Sequence, residues 1–370
     1  MNRVRAFLPH FNKRYYSARN LGIIRSNSND PFVNLATEDY IFNECDPSKQ
    51  YLYLWRNDKT VVIGKHQNPY KECHLLRMNE DGVHLTRRRS GGGAVYQDLG
   101  NTIFTFLSPK DQYDKFVNFD IIKRSLHNGF GITSELSGRN DLIISSEKHP
   151  EFAQRKISGS AFKVASDRAF HHGTLLVNLD TNALQNYLNP HKLKLQSKGV
   201  SSVTSRVVNL QQINPNVSHE LINEEMVKAW KQKHRELSGS DVNVEIIDVD
   251  TLRHNKKWKQ YHDELVDWDW RFGKTPEFSN QFETRFDWGL VDVYLTSENG
   301  VIKSIKIFSD TLFPIIVESL ESGLVGVKLE KSYVDDASNQ IKSSISEEQP
   351  ERETVVKCID DVCDLINKNN

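Results

Sequence analysis

The stretch RRRSGGGAVYQDLGN, residues 87–101, places three arginines directly before three consecutive glycines and then returns to apolar sequence. The glycines at 91–93 leave the backbone N–H groups of the turn unshielded, and such groups form a nest that an anion can approach closely. Arg87, Arg88 and Arg89 add planar guanidinium donors suited to phosphate or carboxylate. The stretch therefore predicts a loop that binds an anionic ligand and leads into a strand.

Two later motifs favour this interpretation over an ordinary surface turn with solvated arginines. The loop itself matches neither GxxxxGK[ST] nor a GxGxxG that opens a helix. In RKISGSAF, residues 155–162, the single lysine Lys156 precedes a second Ser-Gly turn, and GRND occupies residues 138–141. A positioned lysine suits a reaction that passes through negative charge on a phosphoryl or acyl oxygen. The pair His171-His172 is either an orienting or proton-transfer group or a structural feature, and the sequence leaves both open.

The segments around these motifs predict alternating strands and helices. Asp30-Pro31, followed by apolar residues at helical spacing, predicts a helix of about three turns. Residues 50–56 and 60–65 predict adjacent strands of a hairpin, residues 101–107 a third strand, and the region 155–180 two further short strands or turns. We expect helices over 120–130 and 218–233, a β-hairpin over 290–308, and a mobile loop over the polar segment 335–354.

Composition excludes several classes of protein. The 370 residues contain 48 basic and 49 acidic side chains and 38% hydrophobic residues, which is typical of a globular chain. No apolar run approaches the roughly 20 residues of a membrane span, and the balanced charge gives no argument for a nucleic acid, so we expect neither partner. The four cysteines are too few for a disulfide framework, and Cys358 and Cys363 lack a second pair of zinc ligands.

The start of the chain departs from this charge balance. Residues 1–20 contain five basic side chains, which are Arg3, Arg5, Lys13, Arg14 and Arg19, whereas the first acidic residue of the chain is Asp30. This composition predicts a mitochondrial transit peptide over residues 1–20, with a disordered basic tail as the alternative. The step Arg14-Tyr15-Tyr16-Ser17 resembles a processing site.

Several long motifs, taken in order, resemble the lipoate-protein ligase A family. They are LWRNDKTVVIGKHQNPYKEC (54–73), RRRSGGGAVYQDLGNTIFTF (87–106), SGRNDL (137–142), RKISGSAF (155–162) and HHGTLLVNLD (171–180). The resemblance continues through residues 187–210 and more loosely through WDWRFGKTPEFS (268–279), so that it covers roughly residues 21–315. Together with the arginine-rich start, it suggests a mitochondrial lipoyltransferase or lipoate ligase of the fungal type.

This resemblance implies an α+β fold. The expected catalytic domain, residues 21–250, is biotin/lipoate ligase-like with a mixed sheet flanked by helices, and a small α/β accessory domain follows over residues 260–370. The implied enzyme joins lipoate or octanoate to ATP, with Mg²⁺, and transfers the acyl group from acyl-AMP to a lysine of a lipoyl domain. The implied acceptors are the lipoyl domains of 2-oxoacid dehydrogenase E2 subunits and the glycine cleavage H protein.

The resemblance also implies roles for particular residues, with Lys156 as the catalytic one. The expected nucleotide contacts are Arg88, Gly93, Ala94, Val95, Tyr96 and Lys156. The expected lipoate contacts are Lys156, Ser90, Gly92 and His172. Asp141 would hold the metal or orient the loop. Bacterial members usually have a histidine where this chain has Gln97, and that change bears on how the free acid is handled.

Two other functions are alternatives to the ATP-dependent ligase. An ATP-independent transferase of the same fold would take its lipoyl or octanoyl group from acyl-CoA, acyl-AMP or an acylated carrier protein. It would also use Lys156, because both reactions pass through an oxyanion at the same carbonyl. An inactive module that only binds lipoyl domains is disfavoured, since it would have no need of the phosphate-facing motifs.

Overall fold

The structure is a computed structural model that describes residues 20–145, 148–189, 207–239, 241–272 and 280–369. Three parts of the sequence-based account lie outside the described residues. They are the predicted transit peptide up to residue 19, the motif segment 190–206 and the segment 273–279.

The described residues form fourteen strands and thirteen α-helices. The strands are β1 (Asn20–Arg25), β2 (Gln50–Trp55), β3 (Thr60–Ile63), β4 (His84–Arg87), β5 (Val95–Gln97), β6 (Asn101–Pro109), β7 (Ser134–Ser137), β8 (Asp141–Ile144), β9 (Lys156–Val164), β10 (Arg168–Leu176), β11 (Asn243–Asp248), β12 (Asn280–Phe286), β13 (Gly289–Glu298) and β14 (Val301–Ser309). The helices are α1 (Pro31–Glu44), α2 (Pro69–Glu72), α3 (Leu75–Glu80), α4 (Lys115–Phe130), α5 (Ala183–Tyr187), α6 (Leu210–Ile213), α7 (His219–Ser238), α8 (Val249–Arg253), α9 (Lys256–Val266), α10 (Trp268–Phe272), α11 (Pro314–Leu324), α12 (Lys331–Ser344) and α13 (Arg352–Lys368). Within these ranges, none of the helices combines the length and the apolarity that a membrane span requires.

The first domain is built on a mixed eight-stranded sheet. The prediction of such a sheet flanked by helices is confirmed. Its order is β11-β1-β2-β6-β10-β9-β8-β7. β1 runs parallel to both β11 and β2, whereas the pairs from β2 to β7 are antiparallel. One face packs against α4 and α7 in a core that includes Phe104, Phe106 and Trp230, and the other packs against α1 and α9.

The predicted start of α1 is confirmed. Asp30 is its N-cap, and the carboxylate accepts hydrogen bonds from the backbone N–H groups of Phe32 and Val33. Trp258 and Leu265 of α9 are buried against this helix, so the packing of the first domain continues to about the end of α9, beyond residue 250.

The predicted hairpin between residues 50–56 and 60–65 is wrong. β2 lies inside the main sheet between β1 and β6, whereas β3 lies between β4 and β5 in a separate three-stranded sheet. The connecting residue Asn57 is wholly buried, accepts a hydrogen bond from Asn34 and donates one to Gln97. These long-range hydrogen bonds hold Asn57 in the interior, and the chain passes there from the main sheet to the three-stranded sheet instead of forming a hairpin.

Two further boundaries differ from the predictions. α4 begins at Lys115, earlier than the predicted residue 120, and it ends at Phe130 with Gly131 as its C-cap in the left-handed conformation, at φ 69°. Gly129, inside this helix, is a packing site, because a Cβ there would lie 2.6 Å from the side chain of Glu225 on α7. The segment 335–354 is largely helical in α12 and α13, since Val334 and Ile341 are buried at helical spacing and outweigh the polar composition.

The second domain contains an antiparallel sheet, β12-β13-β14, covered by α11, α12 and α13. The predicted hairpin over 290–308 is confirmed, with Asn299 and Gly300 both at positive φ in the turn. Cys358 and Cys363 lie in the core of this domain.

Candidate active site

One row of residues across the main sheet forms the floor of a cavity of about 260 Å³. The row consists of Trp55 on β2, Ile103 on β6, Thr174 on β10, Gly159 on β9 and Asp141 on β8, each directly opposite the next. Neighbouring strands lie about 4.8 Å apart, so four steps give a floor of roughly 19 Å. The cavity is therefore an elongated groove that crosses five strands.

Small side chains in the middle of the sheet keep this groove open. Gly159 belongs to the row itself, and Ala161 lies in the next row on the same face, opposite His172. A Cβ at Gly159 would lie 2.6 Å from Nζ of Lys156. The glycine in RKISGSAF therefore gives the lysine side chain its space.

The two ends of the groove differ in chemistry. The apolar end is lined by Leu35, Trp55, Val62 and Ile103. The polar end is lined by Arg139, Asn140, Asp141, Lys156, Arg285 and Asp310. Such a cavity suits an amphipathic ligand that carries an apolar chain and an anionic group.

Lys156 and Asp141, which the sequence predicts separately, form an ion pair at the polar end. The Nζ of Lys156 lies 2.8 Å from Oδ1 of Asp141, and both side chains are partly exposed to the cavity. β8 and β9 pair antiparallel with a register shift between Leu142 and Ile143. This irregularity allows both side chains to reach the same cavity from neighbouring strands.

The three arginines of the opening motif are used to build the loop. The buried guanidinium of Arg87 donates to five backbone carbonyls, those of Gly64, Lys65, Gln67, Trp270 and Arg271. Arg87 therefore ties the loop to two distant segments of the chain. This role is not visible in the motif alone.

Arg88 closes the glycine loop on itself. Its Nη2 donates to the carbonyls of Gly91 and Gly93 at 2.7 and 2.9 Å, and its Nη1 donates to that of Val62 at 3.1 Å. Burial lowers the pKa of this guanidinium to about 10, which leaves it charged at neutral pH. Arg88 lines the groove, but most of its hydrogen bonds shape the loop.

Arg89 points to the other side of the loop. Its Nε lies 2.7 Å from Asp39, its Nη2 lies 2.7 Å from Glu264, and the guanidinium stacks 4.8 Å from the Trp270 ring. Burial raises the pKa of Asp39 to about 6 despite the neighbouring Arg89. The arginine run therefore contributes structural anchors, and the groove receives its other cations from different segments.

The second domain lies directly on the glycine loop. The backbone N–H of Gly92, at φ 90°, donates to the Thr311 carbonyl at 2.8 Å. A Cβ at Gly91 would lie 2.3 Å from the same carbonyl oxygen, so only glycine allows this approach. Of the expected nucleotide contacts, Gly93, Ala94 and Val95 line the groove, whereas the Tyr96 ring packs against Tyr187.

A buried chain of hydrogen bonds connects the loop to α1. Arg88 Nε donates to the Ser90 hydroxyl at 3.0 Å, and that oxygen lies 2.8 Å from Nε2 of His172. The other ring nitrogen of His172 lies 2.9 Å from Glu38, which also accepts from Thr105 at 2.6 Å. The Glu38 carboxylate accepts the hydrogen bond from Nδ1–H of His172, and in the neutral ring Nε2 then accepts from the Ser90 hydroxyl, whose oxygen accepts from Arg88.

This chain distinguishes the two adjacent histidines. His172 lines the groove, whereas His171 faces the other side of the sheet and is wholly buried among Phe104, Phe119 and Phe162. Burial lowers the pKa of His171 well below its ordinary value, so the ring is neutral. Ser90, an expected lipoate contact, is also wholly buried, and its hydroxyl contacts Arg88 and His172, which both line the groove.

Three residues in or beside the groove are missing from the sequence-based prediction. Glu38 lies within the predicted helix α1, where an acidic residue on the apolar face is the signal that could have identified it. Arg285 and its partner Asp310 come from the second domain, far from every motif that defines the groove. Gln97, the position that departs from the bacterial pattern, lines the groove and accepts a hydrogen bond from Asn57 at 2.8 Å.

Comparison with known protein families gives two matches on this chain. The model of the lipoyl protein ligase A/B catalytic domain matches residues 30–231, and that of the bacterial lipoate protein ligase C-terminus matches residues 275–359. Among curated proteins, lipoate-protein ligase A of Psychrobacter cryohalolentis is 45% identical over 94% of this chain and 98% of its own length. That of Bdellovibrio bacteriovorus is 44% identical over 88% of this chain and 92% of its own length.

Solved structures share the architecture. The crystal structure of P. falciparum LipL1 in complex with lipoate has a TM-score of 0.79 and 32% identity, and the match covers 94% of this chain and 100% of that one. A crystal structure of lipoate-protein ligase A bound with ATP, at 22% identity, covers 70% of this chain and 99% of its own with a TM-score of 0.53 and supports the fold alone.

Proposed function

Because the chain belongs to the lipoate-protein ligase A family, we propose that it is an ATP-dependent lipoate-protein ligase whose reaction takes place in the groove across the main sheet. The observation that carries this proposal is the position of the Lys156–Asp141 pair, 2.8 Å apart, at the polar end of a groove with an apolar opposite end. The acyl chain would lie toward Trp55 and Ile103, with its carboxylate toward Lys156.

This arrangement supports the first half of the reaction. A carboxylate oxygen of lipoate attacks the α-phosphorus of ATP, and pyrophosphate leaves. Negative charge then accumulates on the nonbridging oxygens, where the Lys156 ammonium can stabilise it. The loop residues Gly93, Ala94 and Val95 line the groove and would contact the nucleotide. Asp141 orients the lysine through their ion pair.

The second half of the reaction, transfer of the acyl group, needs fewer groups of the protein. The neutral amine of the acceptor lysine attacks the carbonyl of acyl-AMP, AMP leaves, and the nitrogen loses a proton to solvent. The oxyanion forms at the same carbonyl, so Lys156 would serve both steps. His172, which is held by the buried Glu38, lines the groove beside the acyl chain and, through Ser90, fixes the loop that carries the nucleotide contacts. The direct role of Ser90 is therefore in loop shape, whereas Gly92 and His172 can meet the acyl group.

The polar end also fits magnesium as the counter-ion of ATP. Among the described residues, no three or more His, Cys, Asp or Glu side chains form a cluster for a metal ion. Magnesium, however, is commonly held by one or two carboxylates together with substrate phosphates. Asp141 and Asp310 both line the polar end and would supply those carboxylates. Magnesium bound there would neutralise charge on the phosphates.

The expected acceptors are the lipoyl domains of 2-oxoacid dehydrogenase E2 subunits and the glycine cleavage H protein. Support for a lipoyl-domain acceptor comes from family membership, since a lysine attacked through acyl-AMP is the second substrate of such a ligase. The groove would take either lipoate or octanoate, because both carry a carboxylate on an apolar chain.

The requirement for ATP tests the proposed ligase against the transferase. We expect the purified chain, given lipoate, ATP and an apo lipoyl domain, to produce lipoylated acceptor and AMP, and to produce no lipoylated acceptor when ATP is omitted. Mass spectrometry of the acceptor provides the measurement. Acylation of the acceptor from octanoyl-CoA or an acylated carrier protein, with none from lipoate and ATP, would establish the transferase instead.

We further propose that residues 1–20 direct this ligase to mitochondria, as a fungal-type member would require. The support is compositional, with Arg3, Arg5 and Arg14 preceding the first acidic residue. Residues 1–20 fused to a fluorescent protein should colocalise with a mitochondrial dye in yeast. The matched fusion with those three arginines changed to glutamine should not. A diffuse signal from the unchanged fusion would disprove the targeting role.

A further inference from the structure

The cations available to phosphates at the polar end of the groove can be identified by elimination. Arg87 and Arg89 are engaged with backbone carbonyls and carboxylates outside the groove. Arg88 lines the groove, but most of its N–H groups donate hydrogen bonds to backbone carbonyls of or beside the glycine loop. Among the residues that the structure describes, the remaining cations that line this end are Lys156, Arg139 and Arg285. Lys156 is assigned to the α-phosphate and the carbonyl, which leaves two guanidinium groups without an assigned role.

Arg285 reaches the groove from the second domain. It lies on β12, and its Nη1 is 3.3 Å from Oδ2 of Asp310. Asp310 is itself fixed, because its Oδ1 accepts a hydrogen bond from the Leu290 backbone N–H at 2.7 Å. Both side chains are largely buried, with 17% and 8% exposure. This contact holds the guanidinium at one nitrogen and leaves further N–H donors for a ligand in the groove.

Arg139 reaches the same end from the first domain. It lies in the turn between β7 and β8, two residues before Asp141, and its Nη2 donates to the Trp288 carbonyl at 3.0 Å. Among the described residues, no carboxylate lies within 4.0 Å of this guanidinium. Arg139 therefore bridges the two domains through a neutral acceptor, and within the described parts of the chain no carboxylate forms an ion pair with it.

We propose that Arg139 and Arg285 form a clamp, supplied by both domains, for the β- and γ-phosphates of ATP and thus for the leaving pyrophosphate. This inference rests on the proposed function. In the activation step, a bond forms between the carboxylate oxygen and the α-phosphorus. The bond from that phosphorus to the bridging oxygen breaks, its electron pair stays on pyrophosphate, and no proton is transferred. Guanidinium groups bind such phosphate oxygens in bidentate fashion.

The clamp has a consequence that separates the two half-reactions. Pyrophosphate is present only in the activation step, whereas AMP leaves in the transfer step. The two arginines therefore stabilise the first reaction and have no phosphate to bind in the second. A residue that only maintained the fold would affect both steps.

The test uses full-length Arg285→Gln in two assays. In lipoate-dependent exchange of labelled pyrophosphate into ATP, we expect the KM for pyrophosphate to rise about tenfold or more, because a charge-assisted phosphate contact is lost. In transfer from preformed lipoyl-AMP to an apo lipoyl domain, we expect a rate within about twofold of the unmodified chain, since no pyrophosphate takes part. An unchanged KM for pyrophosphate, or an equal loss in both assays, would overturn the proposal.

Controls keep the outcome interpretable. Arg77→Gln removes an arginine that is ion-paired to Asp81 at 2.7 Å on the surface of α3 and should alter neither assay. Arg139→Gln should reproduce the selective loss and serves as the second variant if Arg285→Gln does not fold. If the unmodified chain shows no exchange at all, the proposed function fails. If it exchanges and both variants match it, only the clamp fails.

Discussion

Lys156→Ala should lower the rate of lipoyl-adenylate formation by roughly 10²–10³-fold, the loss typical when one preorganised donor to a developing anion is removed. The lysine is the cation that the structure pairs with Asp141 at the polar end of the groove, 2.8 Å away. Without it, charge on the α-phosphate lacks its nearest ammonium, and Asp141 becomes an unpaired anion beside a polyanionic substrate. Single-turnover measurement of AMP and lipoyl-AMP formation gives the rate directly.

A comparison with another lysine–aspartate pair makes this result specific. Lys233→Ala breaks an ion pair between α7 and α4, in which Nζ of Lys233 lies 2.7 Å from Oδ2 of Asp120. Neither residue lines the groove. We expect it to leave the rate within about twofold, since partly exposed ion pairs contribute little. A Lys156→Ala chain with normal adenylation would refute the assignment of this lysine. Transfer from preformed lipoyl-AMP should fall as well, because the same carbonyl is polarised there.

Glu38→Ala should destabilise the first domain by about 3 kcal/mol, because it leaves two buried donors without an acceptor. Those donors are Nδ1–H of His172 and the Thr105 hydroxyl. The freed imidazole no longer has a fixed tautomer, so its contact to Ser90, and with it the geometry of the glycine loop, is lost. We therefore also expect kcat/KM for lipoate to fall by about tenfold or more. Urea unfolding and steady-state kinetics measure the two effects.

Glu44→Ala provides the matched control on the same helix. Glu44 is exposed and accepts a hydrogen bond from Tyr261 at 2.7 Å. Its removal should cost less than about 0.5 kcal/mol, as surface substitutions do. Glu38→Gln should recover part of the stability, because an amide oxygen can still accept one of the two bonds. If Glu38→Ala unfolds at the same urea concentration as Glu44→Ala, the buried chain does not hold the loop.

Local signals predicted the parts of the structure that depend on nearby residues. The Asp30 cap, the hairpin with Asn299-Gly300 in its turn and the lysine of RKISGSAF are each encoded within a few positions. The pairing of Lys156 with Asp141 follows from the register of β8 and β9, which the sequence does not reveal. Each residue could therefore be predicted alone, and their contact could not.

The arginine run shows where local reasoning fails. A guanidinium beside three glycines suggests a ligand, but Arg87 donates to carbonyls of Gln67 and of Arg271, which are distant in sequence. The Arg87 guanidinium donates hydrogen bonds, but its acceptors are carbonyls of the protein and not the anion that the sequence predicts. Arg285 was missed for the corresponding reason, since its relation to the groove depends on how the second domain packs on the glycine loop.

Lipoate-dependent exchange of labelled pyrophosphate into ATP, without any acceptor protein, tests the central claim most directly. The claim is that one groove holds the carboxylate of lipoate and the phosphates of ATP together beside Lys156. We predict exchange by the unmodified chain only when lipoate or octanoate is present, and its loss in Lys156→Ala. Absence of lipoate-dependent exchange in the unmodified chain, while lipoyl groups still pass from an acyl donor to a lipoyl domain, would contradict the claim.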